Sequence, residues 1–90
     1  MIVKNTIPQG YVEYQMQHKE LKEKMVAGDW CDNCNCFIGP EDPAHLIPVL
    51  AARTYCQDCF DDWKKTAVFY EEDIPYEQDL VRRLDKIFKL

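Results

Sequence analysis

Two Cys-x-x-Cys pairs constrain this chain more than any other feature of its sequence. Cys31 and Cys34 form the first pair, Cys56 and Cys59 form the second, and 21 residues separate the two pairs. Each pair can place two thiolates on one side of a tight turn, and two such pairs together make the tetrahedral four-sulfur site that zinc prefers. The spacing therefore predicts one structural Zn²⁺ per chain, held by these four cysteines.

The length of the chain makes a structural metal useful. A chain of 90 residues buries only about 60% of the surface that its unfolded form exposes, and a bound metal is one of the usual remedies for so small a core. The hydrophobic content of 47% and the charged content of 30% are typical of a globular protein. We therefore expect a single domain over residues 1–90.

The cysteine usage also bears on the cellular compartment. The chain has five cysteines and no apolar signal-peptide core near its N-terminus, which favours a reducing compartment and metal ligation over disulfides. No run of 18 apolar residues is present, so the sequence predicts no membrane span. We expect a cytoplasmic protein.

The spacing of apolar residues predicts an N-terminal helix over residues 10–28. Residues at gaps of three and four would share one helical face, namely Tyr11, Tyr14, His18, Leu21 and Met25. We expect His18, which lies on this stripe, to be packed rather than catalytic.

The same criterion predicts two further helices. The second begins at Cys56 and runs to about Tyr70, and the third is a C-terminal helix over residues 75–89 that begins at Pro75. Between the cysteine pairs we expect a short β-hairpin with a bend at Ala51-Ala52. Pro48 favours an edge position for its first strand.

The central segment, residues 30–70, resembles a treble-clef zinc finger. Its order is a cysteine turn, a hairpin and a second cysteine turn at the start of a helix, and the run Tyr55-Cys56-x-x-Cys59-Phe60 is the most family-like element. The resemblance implies that the first pair lies on a knuckle and the second in the first helical turn. It says little about function, because such fingers include nucleic-acid binders, ribosomal proteins and protein adaptors.

We therefore expect an α+β fold in which a treble-clef-like knuckle, hairpin and helix are flanked by an N-terminal and a C-terminal helix. Asn35, directly after the first pair, is one of the few non-glycine residue types that tolerate the positive φ such a turn requires. A two-metal cross-brace would need eight ligands, whereas five cysteines and two histidines supply seven.

Two other residues are alternative ligands. Cys36 follows Cys34 by two positions and could compete with it, although we expect a spare thiol beside the site. His45 follows the loop between the pairs and could replace a ligand, but a histidine at a strand start is more often hydrogen-bonded within the fold. A redox-active Cys-x-x-Cys would need a βαβ context, which the sequence does not indicate.

The charge distribution argues against a nucleic-acid partner. The net charge is −5, and residues 29–62 contain seven acidic residues and one basic residue, Arg53. Phosphate backbones are bound by clusters of lysine and arginine. The best such cluster is a modest patch on the third helix: Arg82, Arg83, Lys86 and Lys89.

These features favour a non-enzymatic protein-interaction or regulatory module. We find no phosphate-binding loop, no nucleophile–base pair and no open metal site. Aromatic residues that could anchor a protein partner are Tyr11, Tyr14, Trp63, Phe69, Tyr70 and Tyr76. The main alternative is an acidic nucleic-acid mimic that inhibits a nucleic-acid-processing enzyme, as small phage-encoded inhibitors do, and a nucleic-acid-binding finger is the weaker alternative.

Overall fold

A computed structural model describes the whole chain, residues 1–90. Four antiparallel strands form one sheet in the order β1-β2-β3-β4. Helix α1 follows the second strand directly, and two longer helices complete the fold. The elements are β1 (Val3–Thr6), β2 (Val12–Gln17), α1 (His18–Lys24), β3 (Pro43–Ile47), β4 (Arg53–Tyr55), α2 (Gln57–Thr66) and α3 (Ile74–Phe88), with 3₁₀ turns at Pro48–Leu50 and Glu71–Asp73.

The register of the strands divides the core into two parts, one on each face of the sheet. Tyr14 on β2 lies opposite Leu46 on β3, and His45 on β3 lies opposite Tyr55 on β4. Because successive side chains of a strand point to opposite faces, Tyr14 and Leu46 share one face while His45 and Tyr55 share the other. Helices cover both faces, so the central strands are buried on both sides.

Helices α1 and α3 cover the first face. Tyr14, Leu46, Leu84 and Phe88 belong to one buried cluster on this face, and the rings of Tyr14 and Phe88 lie 5.2 Å apart. The Tyr14 hydroxyl donates to Asp85 Oδ1 at 2.6 Å, so a hydrogen bond as well as apolar contact fixes α3 on the sheet.

Helix α2 covers the second face, and the cysteine turns are built around it. Phe60 on α2 stacks on the His45 ring, with centroids 4.1 Å apart and planes 4° from parallel. The buried cluster of this face includes Cys31 and Cys59 beside Ile47 and Phe60. Two of the predicted metal ligands are therefore part of a hydrophobic core.

The prediction of an N-terminal helix over residues 10–28 is wrong. Residues 12–17 form the strand β2, and only His18–Lys24 is helical. The strand pairs with both β1 and β3, so the N-terminal segment is an integral part of the sheet rather than a flanking element. Pairing with distant strands supplies hydrogen bonds and burial that outweigh the local helical periodicity.

The other secondary-structure predictions agree better with the structure. The hairpin is confirmed as β3 and β4, but the edge position that Pro48 suggested is wrong, since β3 lies between β2 and β4 and the proline follows it in a 3₁₀ turn. Helix α2 ends at Thr66, earlier than expected, and α3 is confirmed within one residue at each end. A small α+β domain is thus confirmed, and none of its helices is long and apolar enough to cross a membrane.

Candidate metal centre

The structure brings the four cysteines of the two Cys-x-x-Cys pairs together. The Sγ atoms of Cys31, Cys34, Cys56 and Cys59 all lie within 4.8 Å of one another. Cys31 and Cys59 are buried, Cys56 is partly buried and Cys34 is exposed. The cluster therefore has an inner side in the core and an outer side that solvent reaches.

The first pair lies on a tight turn between Trp30 and Phe37, which form an isolated antiparallel bridge. The Cys31 N–H donates to the Cys36 carbonyl at 2.9 Å, and the Asn35 N–H donates to the Cys31 carbonyl at 2.9 Å. Asn35 has a φ of 62°, which confirms the positive φ predicted for it. We call the turn formed by residues 31–36 the knuckle.

The second pair lies at the start of α2. Cys56 is the residue that caps this helix, and Cys59 lies in its first turn. The partial positive charge at a helix N-terminus stabilises a thiolate relative to a thiol. This position was expected from the resemblance to a treble-clef finger.

Backbone hydrogen bonds join the knuckle to the hairpin. The Asp32 N–H donates to the Thr54 carbonyl at 2.8 Å, and the Thr54 N–H donates to Asp32 Oδ2 at 2.8 Å. The Cys56 N–H donates to Cys31 Sγ at 3.3 Å. These bonds hold the knuckle against the end of β4 and the start of α2.

Asn33, between the first two cysteines, contacts two of the sulfurs. Its backbone N–H donates to Cys31 Sγ at 3.4 Å, and its side-chain Nδ2 donates to Cys59 Sγ at 3.3 Å. Donors of this kind stabilise thiolate ligands and hold them in place. Neither Asn33 nor Asp32 was predicted to contact the site. Their position between two paired cysteines is the signal in the sequence that could have indicated it.

The geometry of the four sulfurs fits a tetrahedral zinc ion. With a Zn–S distance of about 2.3 Å, the sulfurs of such a site lie about 3.8 Å apart. Cys34 Sγ and Cys56 Sγ are 3.8 Å apart, and no cysteine of the chain is in a disulfide. All four ligands would be sulfur, which is a donor set that zinc favours.

Crowding of the sulfurs changes their proton affinities. The pKa of the Cys34 thiol falls to about 6, chiefly because the Cys36 backbone hydrogen-bonds to it and also because neighbouring thiols do. The Asn33 amide lowers the pKa of Cys59, but burial and the adjacent sulfurs raise it to about 12. Without a metal ion the cluster can therefore hold some of its cysteines as thiolates, but not all four. A bound cation would replace the protons of the remaining thiols.

The aromatic residues beside the cysteines shield the cluster unequally. Tyr55 and Phe60 are buried and cover its inner side. Trp30, directly before Cys31, is 55% exposed, and Phe37 opposite it is 72% exposed. The knuckle therefore presents two aromatic rings to solvent.

Cys36 is not one of the four clustered cysteines, but it lines a surface cavity together with Cys56. The side chain is exposed. The structure therefore places it at the outer side of the cluster.

His45 is not part of the sulfur cluster. Its Nδ1 lies 3.1 Å from Oε2 of Glu13, and its Nε2 lies 2.8 Å from Oε1 of Gln57. Both ring nitrogens are thus occupied by protein partners, which leaves neither for a metal. The predicted N-terminal helix would have placed Glu13 on its polar face, whereas Glu13 is buried beside His45.

The remaining candidates for interaction are distributed over the surface and the core. Tyr11 and Tyr14 are buried, so neither can anchor a partner, whereas Phe69, Tyr70 and Tyr76 are exposed. His18 is buried, as expected. The basic residues of α3 are exposed, but Arg82 and Arg83 both pair with Asp79, which reduces the net positive charge of that patch.

Comparison of the chain with protein-family models, with curated proteins and with solved structures finds no match.

Proposed function

We propose that this protein is a non-enzymatic zinc protein whose single Zn²⁺ is structural. The observation that carries the proposal is the cluster of four sulfurs within 4.8 Å of one another. Four thiolates complete the tetrahedral coordination of zinc and leave no position for a water or a substrate. The ion would join the knuckle to the start of α2 and so stabilise the fold.

The same geometry supports a treble-clef-type finger as the central unit. The knuckle, the β3–β4 hairpin and a helix whose first turn carries the second pair follow one another along the chain. In this proposal β2 and β1 extend the sheet of the finger, so that the N-terminal segment becomes part of the same sheet. The finger would then be the nucleus of a larger domain.

Metal content of the full chain tests the zinc proposal. We expect about one zinc per chain by elemental analysis and native mass spectrometry after purification without added metal. Serine at position 31, 34, 56 or 59 should abolish zinc binding and melt the central segment, whereas Cys36→Ser should retain zinc. A folded chain without zinc, or a Cys36→Ser variant that loses zinc like the other four, would overturn the proposal.

We further propose that the protein acts through protein contacts, with the knuckle as the contact surface. Exposed aromatic rings are frequent anchors of protein interfaces. Trp30 and Phe37 flank the knuckle, pair across an antiparallel bridge and are both exposed. A substructure held by zinc would keep both rings in a fixed geometry, which lowers the entropic cost of binding.

Affinity purification with quantitative mass spectrometry tests this role. The bait is the zinc-loaded chain, compared with a Trp30→Ser/Phe37→Ser variant that keeps all five cysteines. Tyr76→Ser is the control, because it removes an exposed aromatic residue of α3. A protein that is retained by wild type and the control but lost from the double variant supports the role. Identical partner sets for all three baits would contradict it.

The acidic-mimic alternative has one observation in its favour. The exposed residues of the finger include Glu41, Asp42, Asp58 and Asp62, and the bases near them are few. Binding to a nucleic-acid-processing enzyme would then weaken as salt rises and would compete with DNA. A partner retained unchanged at high salt and in excess DNA would exclude this alternative.

A further inference from the structure

A surface cavity of about 430 Å³ lies between helix α1 and the segment that follows the knuckle. Two of its lining residues are almost completely buried: His18, the first residue of α1, is 1% exposed, and Ile38 is 2% exposed. Phe37 and Pro40 line the same cavity and are exposed. The buried residues therefore form its inner end and the exposed residues its mouth. Its volume is in the range of small-ligand sites.

His18 has a ring nitrogen without a hydrogen bond. Its Nε2 is buried and has no partner in the protein. Leaving a buried polar atom unpaired costs free energy, and such atoms are rare in folded proteins. The other histidine, His45, shows the usual arrangement, because each of its ring nitrogens lies beside a side-chain oxygen. A group that enters the cavity can give His18 the hydrogen bond that it lacks.

The charged residues of the lining balance one another. Lys19 and Lys22 carry two positive charges, and Glu23 and Asp29 carry two negative charges. Lys22 also forms an ion pair with Asp29. Because the lining has no net charge when the histidine is neutral, it favours neither an anion nor a cation. A neutral, mostly apolar group with one polar atom fits it better, since the rest of the lining is apolar.

We propose that this cavity binds a tyrosine side chain of the protein partner, with the ring against Phe37 and the hydroxyl hydrogen-bonded to Nε2 of His18. The inference rests on the proposed role of the knuckle in protein contacts, because Phe37 belongs to both surfaces. A phenol hydroxyl both donates and accepts, so it can pair with either tautomer of the imidazole. Tyrosine combines an apolar ring with one polar atom and is frequent among the residues that dominate binding at interfaces.

The hydroxyl should make the cavity selective. A phenylalanine side chain of nearly the same shape would cover the cavity and leave the His18 nitrogen unpaired. A tyrosine side chain would pair it. We therefore expect tyrosine to bind about 3- to 10-fold more tightly than phenylalanine, which is the effect of one net hydrogen bond.

NMR of the full chain as purified tests the inference with two matched probes. The probes are N-acetyltyrosine amide and N-acetylphenylalanine amide, which differ only in the hydroxyl. The ring nitrogens of both histidines are observed in isotope-labelled protein. We expect the tyrosine probe to bind more tightly and to shift the Nε2 signal of His18. The ring signals of His45 should stay unchanged, because both of its nitrogens already have partners.

Three variants separate the contacts. His18→Phe removes the nitrogen and should erase the preference for the tyrosine probe. Phe37→Ser should weaken the binding of both probes. Trp30→Ser is its matched control, because Trp30 is the other exposed aromatic residue of the bridge and does not line the cavity. Should His18→Phe fail to fold, the two probes on the wild-type chain decide alone.

Equal binding of the two probes to the wild-type chain would overturn the inference. So would a tyrosine probe that shifts His45 as much as His18, or no binding of either probe at millimolar concentration. None of these outcomes depends on zinc or on capture of a partner. The cavity can therefore fail this test while the proposed function stands, and loss of the partner from the Trp30→Ser/Phe37→Ser bait remains the separate test of that function.

Discussion

Glu13 and His45 form a buried pair that joins strands β2 and β3 under helix α2. Glu13 Oε2 lies 3.1 Å from Nδ1 of His45, and the two side chains are 2% and 1% exposed. The Gln57 amide nitrogen donates to Asp61 at 3.0 Å, so its oxygen faces the histidine and accepts from Nε2. A hydrogen-bonded chain therefore runs from the sheet into the helix that carries two of the four clustered cysteines.

We expect His45→Leu to destabilise the fold by about 1–3 kcal/mol, because it leaves the buried Glu13 carboxyl group without one of its hydrogen-bond partners. Glu13 would keep only the Asn5 amide, which donates to Oε1 at 2.8 Å. The double variant Glu13→Leu/His45→Leu removes both polar groups and should recover most of the loss. Urea unfolding of the zinc-saturated proteins measures both effects. A double variant as unstable as the single one would show that loss of the Glu13–His45 contact is not the cause.

A second polar contact, the hydrogen bond from Tyr14 to Asp85, fixes helix α3 on the sheet. The stability that this contact gives to the fold should depend on pH. Burial alone would raise the pKa of Asp85, but hydrogen bonds from Tyr14 and Lys4 outweigh it and lower that pKa. A carboxyl group with a lowered folded pKa stabilises the fold above its unfolded pKa, and this contribution is lost as the pH falls through the folded pKa.

We therefore expect Asp85→Asn to cost about 1–2 kcal/mol at pH 7, and the difference from wild type to shrink as the pH falls below about 4. Comparing the two proteins at each pH cancels the effect of acid on the proposed metal site, which would be the same in both. Asp79→Asn is the control, because Asp79 pairs with Arg82 and Arg83 on the surface and such pairs contribute little. A cost for Asp85→Asn that is unchanged at low pH would contradict this assignment.

The local sequence predicts the parts of the fold whose determinants lie close together in the chain. The four clustered cysteines, the positive φ of Asn35 and the helix Ile74–Phe88 follow from spacing, turn chemistry and periodicity. Strand β2 does not, because Glu13 is buried on one face and Tyr14 on the other. A strand buried on both faces lacks the alternation that would reveal it, and its partners His45 and Asp85 are distant in sequence.

The bend of the hairpin shows a second limit of local reasoning. Ala51 and Ala52 have φ values of 60° and 57°, in the left-handed region where a side chain costs about 1–2 kcal/mol per residue. Nothing in the alanine side chain favours that conformation. The bend is imposed by the pairing of β3 with β4 and by the knuckle, to which Thr54 is hydrogen-bonded.

We expect Ala51→Gly to raise the free energy of unfolding by about 0.5–1 kcal/mol, because relief of the strain exceeds the added entropy of the unfolded chain. Ala51 is exposed, so no packing is lost. Thermal unfolding with zinc present measures the gain. Ala44→Gly on β3 is the contrasting variant and should destabilise, because Ala44 is fully buried in a strand. A loss of stability in Ala51→Gly would show that the bend is not strained.

Asn33 should control the affinity of the site without being a ligand. Its Nδ2 donates to Cys59 Sγ at 3.3 Å. In Asn33→Asp a carboxylate of the same shape would face the thiolate, so that repulsion replaces a hydrogen bond. We expect zinc affinity to fall by about 10- to 100-fold, as measured by competition with a chelator at pH 7. Gln78→Glu on α3 is exposed and makes the same change in net charge away from the site. If both variants weaken zinc binding equally, the change in net charge explains the loss of affinity. If only Asn33→Asp does so, the hydrogen bond to Cys59 is part of the metal site.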